Sequence, residues 1–186
     1  MSSPSWFIYE IGYLTQAPDA YVCTYTDGVT PSTDICTQAN ICDGDSRIAT
    51  WEADPDSEKT LYNWQQKLDL TCVDDWKIGM IGASLFIGWC VTLLWLPALA
   101  DKKGRKNIFW LGMTIDLLLY TGLMITDSLA VMITLYFTFG MMCSIRINVG
   151  YIYLMECLPK KAQTPVTSGW NVQEAMIYVI GTLYFW

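Results

Sequence analysis

The sequence predicts an all-α integral membrane protein: about four full transmembrane helices, a short N-terminal half-helix, and an acidic outer loop stapled by disulfides. Three observations lead there. Of 186 residues, 53% are hydrophobic and only 16% charged, against about 25% charged in an ordinary soluble domain. The charge is divided unevenly: residues 1–77 hold thirteen acids and four bases, residues 78–186 five acids and seven bases. The second part also contains long uncharged runs, and about 20 apolar residues are what the ~30 Å hydrocarbon core requires. The chain therefore divides into an apolar half-helix (1–15), an acidic cysteine-containing loop (16–77) and a four-helix membrane segment (78–186).

The half-helix is the run Ser5–Leu14, apolar apart from Glu10. At ~1.5 Å per residue it reaches about half-way through a bilayer, with Trp6 and Tyr9 at headgroup depth. The alternative is a helix packed on the surface of the acidic head. The loop that follows is rich in Asp, Thr, Gly and Pro and contains four of the seven cysteines: Cys23, Cys36, Cys42 and Cys72. An even number of cysteines in a non-cytoplasmic loop predicts two disulfides. Three pairings are open. Zinc is the competing reading, but the chain has no histidine and the cysteines are widely spaced, so no metal site is expected.

The spans follow in order. Residues 78–99 carry no charge, and the run ends at Asp101, Lys102, Lys103, Gly104, Arg105 and Lys106. Gly104 supplies a tight turn, and the bases stay in the headgroup zone. A second span, 107–126, is interrupted only by Asp116; Asp127 and Ser128 form a short polar connection. A third, about 129–155, contains Arg146. A polar loop with Pro159, Lys160 and Lys161 leads into a fourth, about 165–186, which contains Gln173 and Glu174. Two spans separate the basic loops, so both lie on one side, the cytoplasmic or matrix-like side. The acidic loop and Asp127 fall on the opposite, oxidising side. A plasma membrane and a mitochondrial inner membrane both satisfy this. Trp76, Trp110, Tyr184 and Trp186 read as interface belts. An intramembrane acid such as Asp116 marks a substrate or proton path by default, or a pair with Arg146 on the next span.

Three motifs carry a family resemblance. Pro97–Lys106 contains Asp101-x-x-Gly104-Arg105-Lys106. Arg146-x-x-x-Gly150 is followed by Glu156-x-x-Pro159. The loop closes on Asn63-Trp64-Gln65-Gln66-Lys67-Leu68-Asp69-Leu70-x-Cys72. Together these resemble the N-terminal half of the major facilitator superfamily, in its organic cation and anion (sugar-porter-like) branch. The resemblance implies that the four spans are family helices two to five. It also implies a cytoplasmic-side charge network of Arg146, Glu156 and Arg105. Arg146 and Glu156 are ten residues apart, ~15 Å along a helix, so Arg105 would stand between them. Pro97 replaces the motif's glycine, and Gln163 replaces an arginine of the branch.

Two functions are expected on this basis. In the first, the chain is a truncated member, lacking most of family helix one and helices six to twelve. It is then unable to transport alone and serves as a structural or accessory subunit among other membrane protein subunits and membrane lipids. In the second, it is the N-terminal part of an active secondary transporter for small organic ions or sugar-like solutes. Gly79, Gly82, Ala83 and Gly88 form the small-residue face through which a subunit would dock. The acidic balance excludes a nucleic-acid partner, which requires a basic face. No catalytic constellation or cofactor site is visible, and no enzyme activity is expected.

Overall fold

A computed structural model describes residue 8 and residues 10–26, 31–43, 47–55 and 63–185. The chain forms two compact units. One comprises residues 12–78, the other residues 1–11 with 79–186. The expected placements of Trp6, Tyr9 and Trp186 lie outside the described residues. From the N-terminal apolar run a short helix is described, α1 (Ile11–Leu14).

The first unit corrects the all-α expectation. It contains a three-stranded antiparallel sheet of β1 (Tyr21–Thr26), β2 (Pro31–Cys36) and β3 (Ile48–Ala53), with β1 in the centre. The physical reason lies in Tyr21-Val22-Cys23-Thr24-Tyr25-Thr26, a run of aromatic and β-branched residues that suits a pleated strand. Alternate side chains face one side, so Tyr21 and Cys23 are buried. Tyr21 pairs with Cys36 across the β1–β2 ladder. Cys23 therefore shares a face with Cys36, and the two form a disulfide with Cα atoms 5.9 Å apart. Tyr25, Ile41, Ile48 and Trp51 pack on this small core.

The second disulfide, Cys42–Cys72, ties α2 (Gln38–Cys42) to the end of the unit. Beside it, Gln38 Nε2 donates to the Thr71 carbonyl at 2.6 Å. Asn63 caps α3 (Trp64–Lys67), accepting from the Gln65 amide at 3.0 Å. Its Nδ2 donates to the carbonyls of Tyr13 and Gln16 at 2.8 and 2.9 Å. One buried amide thus fastens the start of the unit to its end. Cys90, Cys143 and Cys157 are free thiols.

The second unit is helical. Among the described residues, three helices are long and apolar enough to cross a membrane: α4 (Asp75–Leu93), α6 (Arg105–Ile125) and α7 (Leu129–Cys157). Three rather than four is the second correction. The remaining long helix, α8 (Lys160–Phe185), has 26 residues. It fails on composition, because Gln163, Thr164, Thr167, Ser168, Asn171, Gln173 and Glu174 interrupt its apolar residues. The first span is also shorter than expected. It ends at Leu93, and a separate helix α5 (Leu96–Lys103) follows, with Pro97 in its first turn. Proline suits that position because no intrahelical partner is lost there.

The helices of the second unit meet at glycines. An added Cβ on Gly88 of α4 would strike the Phe137 carbonyl oxygen of α7, with the Phe137 carbonyl carbon at 3.0 Å. Reciprocally, a Cβ on Gly140 would strike the Leu85 carbonyl oxygen, with its carbon at 2.8 Å. The two backbones cross with no room for a side chain. α6 meets α7 where Gly112 faces Ile145 and where Gly150 faces Phe109. From Ile145 to Val149, α7 widens into a π-helical turn.

Candidate functional site

Two groups of charged side chains stand out in the helical unit. The first is at the α5–α6 turn. Gly104 has φ +85°, a region that L side chains rarely adopt, and this lets α5 stop at Lys103 and α6 start at Arg105 with one residue between them. Arg105, the first residue of α6, thereby lies four residues from Asp101 and donates Nη2 to its Oδ1 at 3.1 Å. Its Nη1 donates to Oε1 of Glu156, fifty-one residues away at the end of α7. One planar guanidinium thus holds a carboxylate from each of two chain segments, which suits its fork geometry. Arg105 is 27% exposed and its partners more so, so solvent screening leaves each pair little stabilising energy. What the cluster supplies is position. Leu96, Ala100, Ile108, Ile145 and Val149 form a buried apolar group beside it. A cavity of about 110 Å³ is lined by Leu96, Pro97, Asn148 and Ile152, with Asp101 and Arg105. Lys106 is exposed.

The second group is interior. Asp116 lies on the buried face of α6, in the series Ile108, Gly112, Asp116, Leu119 and Leu123. Arg146 lies in the π-helical turn of α7. Each is 3% exposed, and Asp116 sits within electrostatic reach of Arg146. Cys143, fully buried, adjoins Arg146 and is within reach of Asp116 and of Glu174 on α8. Two acids and one base, from three helices, thus lie within electrostatic reach of one thiol. Oδ1 of Asp116 has no hydrogen-bond partner among the described residues. One turn along, Asn148 donates to the Ser144 carbonyl and hydroxyl at 3.0 and 3.2 Å. On the other side, Tyr120 and Tyr136 pack on Phe139.

The network implied by the resemblance is therefore rearranged. Arg105 and Glu156 come together, with Asp101 as their third member. Arg146 lies instead beside Asp116 and Cys143, because the ten residues to Glu156 carry that acid to the far end of α7. The small-residue face of α4 is also partly used. Gly88 lies on α7 and Gly82 on Ile11, while Gly79 is open. Trp76, Trp110 and Tyr184 are exposed. Cys143 was legible only as one helical turn before Arg146, and Glu10 as the lone charge in an apolar run. Among the described residues no group of three or more His, Cys, Asp or Glu could hold a metal ion.

Comparison with family models, curated proteins and solved structures finds no match.

Proposed function

We propose that this chain is part of a secondary carrier of the major facilitator type, moving small organic ions across a membrane. Its helical unit corresponds to helices two to five of such a carrier's first half. The observation that supports this best is the Asp101–Arg105–Glu156 cluster. Motif residues from two distant segments meet on one guanidinium, as a coupling between loops on one side of the bundle requires. The interior Asp116–Arg146 neighbours add a second reason, since charges at such depth are costly and mark a solute or ion path by default.

Membrane insertion is supported by the hydroxyls. Thr114, Thr121, Thr134, Thr138 and Thr182 each donate to the carbonyl four residues back. These five hydroxyls are thereby satisfied within their own helices, as hydrocarbon requires. In this proposal α8 is a fourth crossing. Its 26 residues reach ~39 Å. Gln163, Thr167, Glu174, Ile177 and Gly181 recur at helical spacing on its more buried side. A helix that lines a water-filled path carries such a polar face, and this lowers its average hydropathy. The disulfide-linked unit then lies on the oxidising side and the Arg105 cluster on the opposite side.

Alternating access rocks two helical halves about a midplane site, so these helices work together with others. The accessory-subunit reading requires a free small-residue face on α4. Contact of Gly88 with α7 of the same chain favours the carrier. The test is uptake of tetraethylammonium and of p-aminohippurate into cells expressing the protein, compared with Arg105→Gln and Asp116→Asn. Uptake of either ion that both variants reduce at least tenfold supports the proposal. Uptake indistinguishable from cells without the protein refutes it.

A further inference from the structure

Glu10 interrupts the apolar run Trp6-Phe7-Ile8-Tyr9-Glu10-Ile11. It is 2% exposed, and neither carboxylate oxygen has a hydrogen-bond partner among the described residues. The carboxylate lies on Gly181 of α8. A Cβ there would collide with Oε1, and Glu10 Cγ is 3.2 Å from the same point. Gly181 is therefore a cradle that any side chain would fill. The next residue, Ile11, rests on Gly82 of α4, its Cδ1 3.5 Å from where a Cβ would stand.

Among the described residues, α4 and α8 bring no cation to this carboxyl. On α4, residues 78–89 carry no ionisable side chain, and on α8 the titratable groups within one turn of Gly181 are Tyr178 and Tyr184. An isolated buried carboxylate is far more costly than the neutral acid, so the group gives up its charge rather than its place.

We propose that Glu10 is a proton-binding site. Seated on Gly181, it holds its carboxylic proton at neutral pH. When water reaches it, the O–H bond breaks, the proton passes to water, and the carboxylate remains. No electrons move and no co-reactant is needed. In the carrier proposed above this exchange couples solute movement to a proton gradient. That coupling rests on the carrier reading; the proton site does not.

The protein is placed in lipid nanodiscs with ¹³C-labelled glutamate, which separates its five glutamates from Asp116, and carboxylic-acid carbonyls are read by infrared and solid-state NMR. The expected result is one protonated glutamate at pH 7 that disappears in Glu10→Gln and persists in Glu174→Gln. Gly181→Ser keeps Glu10 but fills its cradle, and should return the signal to an ordinary glutamate value of about 4.3. A wild-type protein with no protonated glutamate at pH 7, a signal that survives Glu10→Gln, or one that Gly181→Ser leaves unchanged would overturn the proposal. In proteoliposomes under a proton gradient, gradient-driven organic-ion flux lost in Glu10→Gln supports the coupling. An intact proton signal with no flux of either probe ion refutes the carrier and leaves the proton site standing.

Discussion

The crossing of α4 and α7 should fail if either glycine gains a methyl group. At Gly88 the added carbon meets the Phe137 carbonyl oxygen, with Phe137 C at 3.0 Å and Met141 N at 3.2 Å; at Gly140 it meets the Leu85 carbonyl oxygen, with Leu85 C at 2.8 Å and Cα at 3.0 Å. All these obstacles are backbone atoms. No rotamer change relieves them, so the helices must part. Overpacking of this kind costs about 1–3 kcal/mol. Replacing a helix-interior glycine by alanine returns up to about 1 kcal/mol of propensity. Gly88→Ala and Gly140→Ala should each therefore destabilise by about 1–2 kcal/mol. Lipid supplies no hydrophobic push to hold the helices together once they separate. The internal controls are Gly79→Ala and Gly169→Ala, where nothing lies within 4 Å of the new carbon; these should be neutral or stabilising. The double variant should cost less than the sum, because one separation accommodates both methyl groups. Equilibrium unfolding in mixed micelles measures all five variants. If Gly88→Ala and Gly140→Ala behave like the two controls, the close crossing is refuted.

Three further outcomes follow from the geometry. Peptide mapping without reduction should recover Cys23–Cys36 and Cys42–Cys72, with Cys90, Cys143 and Cys157 labelled after denaturation. Removing the second bond, which closes a span of 30 residues, should destabilise its unit by up to about 3–4 kcal/mol on chain-entropy grounds, read by thermal unfolding. Gly104→Ala forces a side chain into a positive-φ backbone, at about 1–3 kcal/mol, and should loosen the Arg105 cluster; a melting point equal to wild type contradicts this. The Lys77 ammonium, 2.7 Å from Asp74, holds that carboxyl below the usual aspartate range by hydrogen bonding and charge. A carboxyl depressed by folding stabilises above its unfolded value, and the contribution is lost as pH falls through its folded value. In an NMR titration Lys77→Gln should return Asp74 to about 3.9.

The helical half was legible because its signals are local. Charge-free runs, basic loops and Asp101-x-x-Gly104-Arg105 all act within a few residues. The break at Leu94–Trp95 was harder to see, since Pro97 reads equally as a kink or as the first turn of a new helix. The sheet was missed because polar and Gly-containing residues around β1 to β3 outweighed the alternation in Tyr21–Thr26, and its partner strands become visible only once paired. The fourth span is read from length, which α8 has. Seven polar residues between Gln163 and Glu174 decide it against hydropathy, and sequence alone does not show that its less exposed side collects Gln163, Thr167 and Glu174. The separation of Arg146 from Glu156 follows from their ten-residue spacing; the π-helical turn at Arg146 and the close approach of Gly112 to Ile145 have no such signal in the sequence.

The central proposal is that the helical unit crosses the membrane four times, with Lys106 and Lys161 on one side and Ser128 and Tyr184 on the other. Single reporter cysteines at Lys106, Ser128, Lys161 and Tyr184, in a background lacking Cys90, Cys143 and Cys157, can be labelled with an impermeant maleimide in sealed vesicles. The account predicts that positions 106 and 161 react from one side and positions 128 and 184 from the other. Positions 161 and 184 reacting from the same side would show that α8 does not cross, and would contradict it.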